Sequence, residues 1–135
     1  MTQQLNNTVL NSLPDTVQAP SYARTDLSPG ILHIGVGNFH RAHQAVYIEA
    51  WLNNNGGGQW GICAANIRSN RELVDQLERQ GCRYHVVEYR DRQHVSVREI
   101  SAIRHALFAG DSKEALLARM AAPDTRIVTL TVTEK

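Results

Sequence analysis

A pair of glycines set between an apolar run and a helical pattern constrains this chain most. The stretch is Ile31-Leu32-His33-Ile34-Gly35-Val36-Gly37-Asn38-Phe39-His40-Arg41-Ala42-His43. A buried strand that passes at once into a helix points the helix's first amides at whatever lies beyond the strand tip. That end of a helix favours an anion such as a phosphate. Glycine at 35 and 37 lets the backbone turn tightly and lets a phosphate approach without meeting a Cβ. The third position of the Gly-x-Gly-x-x-Gly pattern is His40, so helix and strand cannot approach there as closely as glycine would allow. Arg41 beside the turn offers a cation for phosphate charge.

The context of the turn matters more than the motif. After Phe39 the residues Ala42, Ala45, Val46 and Ala50 recur at helical spacing and predict a first helix running to about Leu52, which Asn53 to Gly58 ends. Trp60 to Ile67 reads as a second strand, completing a strand–helix–strand unit. Ser69-x-x-Glu72 reads as a capping box for a second helix with Leu73, Val74 and Leu77 on one face and Gly81 at its end. The period then changes. Tyr84 to Tyr89 and His94 to Ile100 flank the polar Arg90-Asp91-Arg92-Gln93, which predicts an antiparallel hairpin inserted into the α/β pattern. Asp111-x-x-Glu114 reads as the cap of a third helix with Ala115, Leu116 and Met120 as its apolar stripe and Pro123 as its stop. Arg126 to Val132 is the most β-prone run in the chain. Met1 to Pro29 is polar and irregular, a leader expected to dock at Leu10, Leu13 and Tyr22.

Strands alternating with helices imply a parallel sheet covered on both faces. The last strand has no helix after it, so the architecture is expected to be incomplete at the C-terminus. The expected domains are a leader over 1–29 and a dinucleotide-binding unit over 30–135.

The 135 residues are one domain's length, and 42% hydrophobic with 20% charged residues is a globular balance. A net charge of +1 with no basic stripe does not suggest a nucleic-acid partner. No apolar run reaches the roughly 18 residues of a membrane span. Met1 to Val9 lacks a signal-peptide layout, so a cytoplasmic protein without a membrane partner is expected. Cys63 and Cys82 fall in apolar segments without metal or redox spacing and read as small buried hydrophobes. His40 and His43 stand at i and i+3, but Glu49 is nearly two turns further on and no set of metal ligands assembles.

At the end of the second strand, a dinucleotide site that takes a 2′-hydroxyl usually carries an acid. Here Asn66 stands there, with Arg68 two residues on. Asn can bond a hydroxyl and Arg can meet a 2′-phosphate, so NAD and NADP both stay open. Ligands of open parallel sheets bind at the carboxyl ends of strands, so Thr129, Thr131 and Thr133 should face the same crevice as Gly35.

The runs Ile31 to Ala45, Trp60-Gly61-Ile62-Cys63 and Ile127-Val128-Thr129-Leu130-Thr131-Val132-Thr133-Glu134-Lys135 together resemble the mannitol dehydrogenase family, the long-chain polyol dehydrogenases. That family includes mannitol 2-dehydrogenase, fructuronate reductase and tagaturonate reductase. The resemblance covers nearly everything after the leader. It implies a Rossmann-type domain, with a parallel sheet flanked by helices, that binds NAD(H) or NADP(H). A largely helical domain would follow. Such enzymes interconvert a secondary alcohol of a polyol or sugar acid with its ketone by hydride transfer, without zinc. By this similarity Gly35, Val36, Gly37, Asn38, Phe39, His40, Arg41 and Ala42 form the pyrophosphate turn. Asn66 and Arg68 would lie near the adenosine ribose, and Thr131 at the nicotinamide end. The family's catalytic lysine and its Asn and His companions belong to the later domain, and Lys135 is not that lysine. No residue of this chain is therefore expected to be catalytic, and the chain alone is expected to be inactive. The expected reaction is of the mannitol/fructose or mannonate/fructuronate type. Two other readings remain: a stand-alone nucleotide-binding or regulatory module, and a Rossmann-like methyltransferase, against which the missing acid at Asn66 speaks.

Overall fold

The protein is described from a computed structural model covering residues 16–133. Four strands form a parallel sheet: β2 (Ile31–Ile34), β3 (Ile62–Asn66), β6 (Ile103–Phe108) and β7 (Ile127–Leu130). Their spatial order is β6-β3-β2-β7. The first strand of this sheet thus lies between the second and the fourth, and the direction of winding reverses between β2 and β7. Open α/β sheets bind their ligands at such a reversal, beyond the carboxyl ends of the strands. Here that point is occupied by Gly35 on one side and Thr131 on the other.

Alternation along the strands separates two apolar layers. Ile31, Ile62, Ala64, Ile103 and Ala106 pack with Ala45 and Leu52 of α1 (Ala45–Asn55) and with Val74 and Leu77 of α2 (Arg71–Arg79). Leu32, Cys63 and Ala65 pack on the opposite face with Leu116 of α3 (Lys113–Ala121). Both cysteines are buried and free, as expected. β2 and β3 are buried on both faces, which suits their short apolar composition.

The expected hairpin is present as β4 (Tyr84–Tyr89) and β5 (Val95–Ile100). It belongs to a separate three-stranded sheet, because Val17–Gln18 (β1) pairs in parallel with β5. Part of the segment read as an irregular leader is therefore a strand. Tyr22 is buried, as expected; Leu10 and Leu13 lie outside the described residues, as do Glu134 and Lys135.

Local signals were read differently by the chain in several places. β6 was not expected, because Arg104 and His105 interrupt its apolar pattern, yet it pairs with β3 along its length. The Ser69 capping box does not form. Asn70 starts α2 in the left-handed region at φ 57°, a conformation Asn tolerates better than most residues, and no side chain caps the helix. For α3 the cap is Ser112, whose hydroxyl accepts the Ala115 N–H at 3.1 Å, and not Asp111. On α3 only Leu116 of the expected stripe is buried; Met120 is exposed. The first helix runs to Asn55 and ends on left-handed Gly56. It begins with a π-helical turn, His40–Gln44, closed by the Ala45 N–H donating to the His40 carbonyl.

Candidate functional site

Where β2 ends, the chain turns on Gly35 at φ +105°, a region closed to most side chains. The Gly35 N–H donates to the Ala65 carbonyl at 2.7 Å and the Thr131 N–H to the Ile34 carbonyl at 3.0 Å. β3 and β7 therefore hold the turn from either side. A Cβ on Gly35 would stand 3.2 Å from the Thr131 Cβ and carbonyl oxygen, so glycine is required there by the fold itself.

Gly37 is different. Its φ lies outside the positive range, and a Cβ would meet nothing nearer than the Gly35 carbonyl oxygen at 4.0 Å. Among the described residues nothing fills that space. It opens in front of Gly37, Asn38 and Phe39, whose amides begin the helix and so have no intrahelical acceptor. A bare backbone facing open space at a helix start, with no internal reason for the missing Cβ, fits a bound pyrophosphate.

The remaining candidates divide into those that face outward and those that hold the turn. Asn38, Phe39 and Ala42 are exposed, and Phe39 leaves 65% of its surface uncovered. Arg41 serves the turn: its Nη2 donates to the Asn38 Oδ1 at 2.6 Å and its Nε to the Gly37 carbonyl at 3.3 Å. Tyr84 donates its hydroxyl hydrogen to the Arg41 carbonyl at 2.7 Å and ties the hairpin to this end of the helix. The Val36 side chain is buried in the core, so only its backbone borders the turn.

Three side chains sit otherwise than the sequence suggested. The His40 ring is fully buried and stacks on His33, with centroids 3.8 Å apart and planes 9° from parallel. It acts as a spacer between helix and strand and does not present itself at the surface. His43 is exposed, and the π-helical turn separates the two histidines expected to share a face. Asn66 is buried at the tip of β3 and turns inward, its amide donating to the Val36 carbonyl at 3.4 Å. Arg68 is exposed just beyond it.

On the other side of the turn lies a cleft of about 390 Å³ lined by His33, Phe39, Gln44, Leu130, Thr131, Val132 and Thr133. Thr129 and Thr131 do share a face, and both hydroxyls lie against His33, at 2.8 Å from Nδ1 and 3.0 Å from Nε2. Burial lowers the pKa of His33 below its ordinary value. Burial, and secondarily the neighbouring His33, lower that of His40 to about 4. Both rings are neutral at pH 7, as a close face-to-face pair requires. His33, Thr129 and Gln44 were not singled out as turn-holding residues; the recurrence of His and Thr on the strands around the turn was the available signal. Among the described residues, no group of three His, Cys, Asp or Glu side chains could hold a metal ion, and no helix is long and apolar enough to cross a membrane.

With this geometry in place, the chain can be compared with known proteins. The family described as the mannitol dehydrogenase Rossmann domain matches residues 29–135. A mannitol 2-dehydrogenase of Pyricularia oryzae is 41% identical over 120 residues, covering 88% of this chain and 24% of the relative. One of Pyrenophora tritici-repentis is 42% identical over 134 residues, covering 98% and 23%. A solved structure, the Pseudomonas fluorescens mannitol 2-dehydrogenase in ternary complex with NAD and D-mannitol, superposes with a TM-score of 0.89 at 42% identity. It covers 96% of this chain and 26% of that one. A D-sorbitol dehydrogenase in substrate-free form gives 0.86 at 35% identity, covering 96% and 27%. The chain spans about a quarter of the length of these relatives.

Proposed function

The chain belongs to the mannitol dehydrogenase family through its Rossmann domain, and from that premise we propose that it is the NAD-binding portion of a polyol dehydrogenase. The observation that carries the reading is the contrast between its two turn glycines. Gly35 is demanded by Thr131, whereas none of the described residues demands Gly37. The similarity to a mannitol 2-dehydrogenase bound to NAD and D-mannitol supports the cofactor and favours a mannitol/fructose interconversion over a mannonate/fructuronate one.

NAD supplies the hydride acceptor for oxidation of a secondary alcohol. This chain's residues bind and orient. The backbone from Gly35 to Phe39 holds the pyrophosphate, with Arg41 fixing that backbone through Gly37 and Asn38. Arg68 lies at the ribose end. Thr131, beside the turn and on the wall of the cleft, lies at the nicotinamide end. Among the described residues His33 is the one titratable side chain lining the cleft, and both its ring nitrogens are engaged. On this reading the 135 residues by themselves bind cofactor without turning over substrate.

Titrating NADH into the purified chain while following its fluorescence tests this. Micromolar binding, with no NAD reduction in the presence of mannitol, is the expected result. A folded chain that ignores NADH sinks the cofactor assignment; mannitol oxidation by these residues alone sinks the division of labour.

A further inference from the structure

Three arginines gather at the amino end of the parallel sheet, the end opposite the glycine turn. Backbone fixes Arg24 there: its Nε donates to the Ser101 carbonyl at 3.2 Å and its Nη2 to the Ile103 carbonyl at 2.5 Å. Among the described residues its Nη1 has no partner; it faces Gly81, 3.9 Å from where a Cβ would stand. Arg83 follows Gly81 by two residues, in a corner closed by the Gln80 Nε2 donating to the Arg83 carbonyl at 2.9 Å. The Ala106 N–H donates to the Cys82 thiol and ties this corner to β6.

Arg104 comes from β6 itself, next to the Ile103 carbonyl that Arg24 holds. Ile62 pairs with Ile103 but Cys63 with His105, so Arg104 is the extra residue of a β-bulge. A bulge re-aims the side chain it carries. Gly61 leaves room for this one, since a Cβ there would stand 3.2 Å from the Arg104 Cγ and 2.9 Å from the Ser28 carbonyl oxygen.

All three arginines are half-buried, and among the described residues none is in an ion pair. The Nε atoms of Arg83 and Arg104 are buried without a partner among those residues. Burial, then Arg83 and more weakly Arg104, hold the Arg24 pKa below its ordinary value. Burial, then Arg104 with Arg119 and Arg24 behind it, lower that of His105. Glu78, the carboxylate that acts on Cys82 and His105 from α2, is exposed and pairs with none of the three. Like charges brought together and partly out of water cost free energy, which a bound anion offsets.

We propose that Arg24, Arg83 and Arg104 form a binding site for a phosphate-type oxyanion at the amino end of the sheet. A guanidinium fork matches the oxygens of such an ion, and three cations suit a dianion better than a single carboxylate. Arg24 is held in place by its two carbonyls before the ion arrives. The ion is inorganic phosphate or the phosphoryl group of a phosphorylated sugar, and the site does not depend on the NAD-binding reading.

Calorimetric titration of the intact protein in a phosphate-free buffer tests it, with inorganic phosphate and glucose 6-phosphate as probes. Sodium chloride at matched ionic strength is the control. Phosphate is expected to bind with a dissociation constant of about 1 mM or below, and chloride to give no saturable signal. Arg83→Gln and Arg104→Gln should each weaken phosphate about tenfold, and Arg83→Lys, which keeps the charge without the fork, several-fold. Arg90→Gln, at the exposed hairpin tip, should match the parent. Should a Gln variant fail to fold, Arg83→Lys against Arg90→Gln still decides. Glucose 6-phosphate binding about tenfold tighter than phosphate assigns the site to a sugar phosphate; equal affinities assign it to the free ion. Phosphate that binds no better than chloride overturns the site. So does phosphate that NADH displaces and that both Gln variants bind as the parent does, because it then sits at the glycine turn.

Discussion

Gly35 and Thr131 lie so close that a Cβ on the glycine would stand 3.2 Å from both the threonine's Cβ and its carbonyl oxygen. The contact joins the end of β2 to the end of β7 at the reversal of the sheet's winding, and it makes the first glycine of the turn a structural requirement. Alanine at 35 must adopt φ near +105° and also push on β7 backbone. Together these are expected to destabilise the fold by about 2–4 kcal/mol. Thermal unfolding should show a midpoint lower by about 10 °C. An unchanged midpoint would mean that β7 moves aside freely.

Gly37→Ala should behave in the opposite way. The added Cβ enters open space at an unstrained φ, so the unfolding midpoint should stay within about 2 °C of the parent. NADH affinity should nevertheless fall by about tenfold or more, because the methyl occupies the approach of the phosphate. Parallel thermal and NADH titrations of the two alanine variants separate a folding glycine from a binding one. Equal affinity in Gly37→Ala would leave the turn without its proposed ligand.

Much of this was legible in the sequence because it rests on local chemistry. A glycine pair after an apolar run, Gly56 closing a helix and a polar turn between two β-rich runs each act within a few residues. What escaped depends on tertiary partners. β6 carries Arg104 and His105, and only its pairing with β3 makes it a strand. The i, i+3 histidine pair assumed an α-helical period, whereas the π-helical turn buries His40 and leaves His43 outside. Asn66 occupies the expected position at the strand end, but its direction is set by the Val36 carbonyl, which sequence spacing cannot supply.

Acid should loosen this fold through the stacked histidines. Burial lowers the His40 pKa to about 4, so between that value and the ordinary 6.5 the unfolded chain binds the proton more readily. The contribution of His40 is thus intact above the ordinary value and lost as pH falls toward the folded one, at most about 3 kcal/mol. Burial raises the Glu49 pKa, which acts in the opposite direction: its native state holds a proton more tightly and gains relative stability as pH falls. Urea midpoints at pH 7 and pH 5 for the parent and His40→Gln resolve the two. The variant should lose less stability on acidification; identical losses would remove His40 as the cause.

Glu49 anchors a second buried network, accepting from the Tyr22 hydroxyl at 2.8 and 2.9 Å and from the Ser101 N–H at 2.9 Å. It joins α1 both to the segment before β2 and to the end of the hairpin. Tyr22→Phe removes one donor and should cost about 1–2 kcal/mol. Glu49→Ala strands the Tyr22 hydroxyl and the Ser101 amide and opens a cavity, and should cost about 3 kcal/mol or more. Denaturant unfolding checks the order; a Tyr22→Phe loss equal to that of Glu49→Ala would contradict it.

The end of β3 sets the expected coenzyme preference. Asn66 turns inward to the Val36 carbonyl, and Arg68 stands exposed two residues further on. An exposed guanidinium at this position can meet a 2′-phosphate but contributes little to a 2′-hydroxyl. Arg68→Ala should therefore weaken NADPH binding by about tenfold while changing NADH binding by less than about twofold. Paired titrations with the two coenzymes provide the measurement. Equal loss of both would place Arg68 at the pyrophosphate, and loss of NADH alone would reverse the assignment of the ribose end.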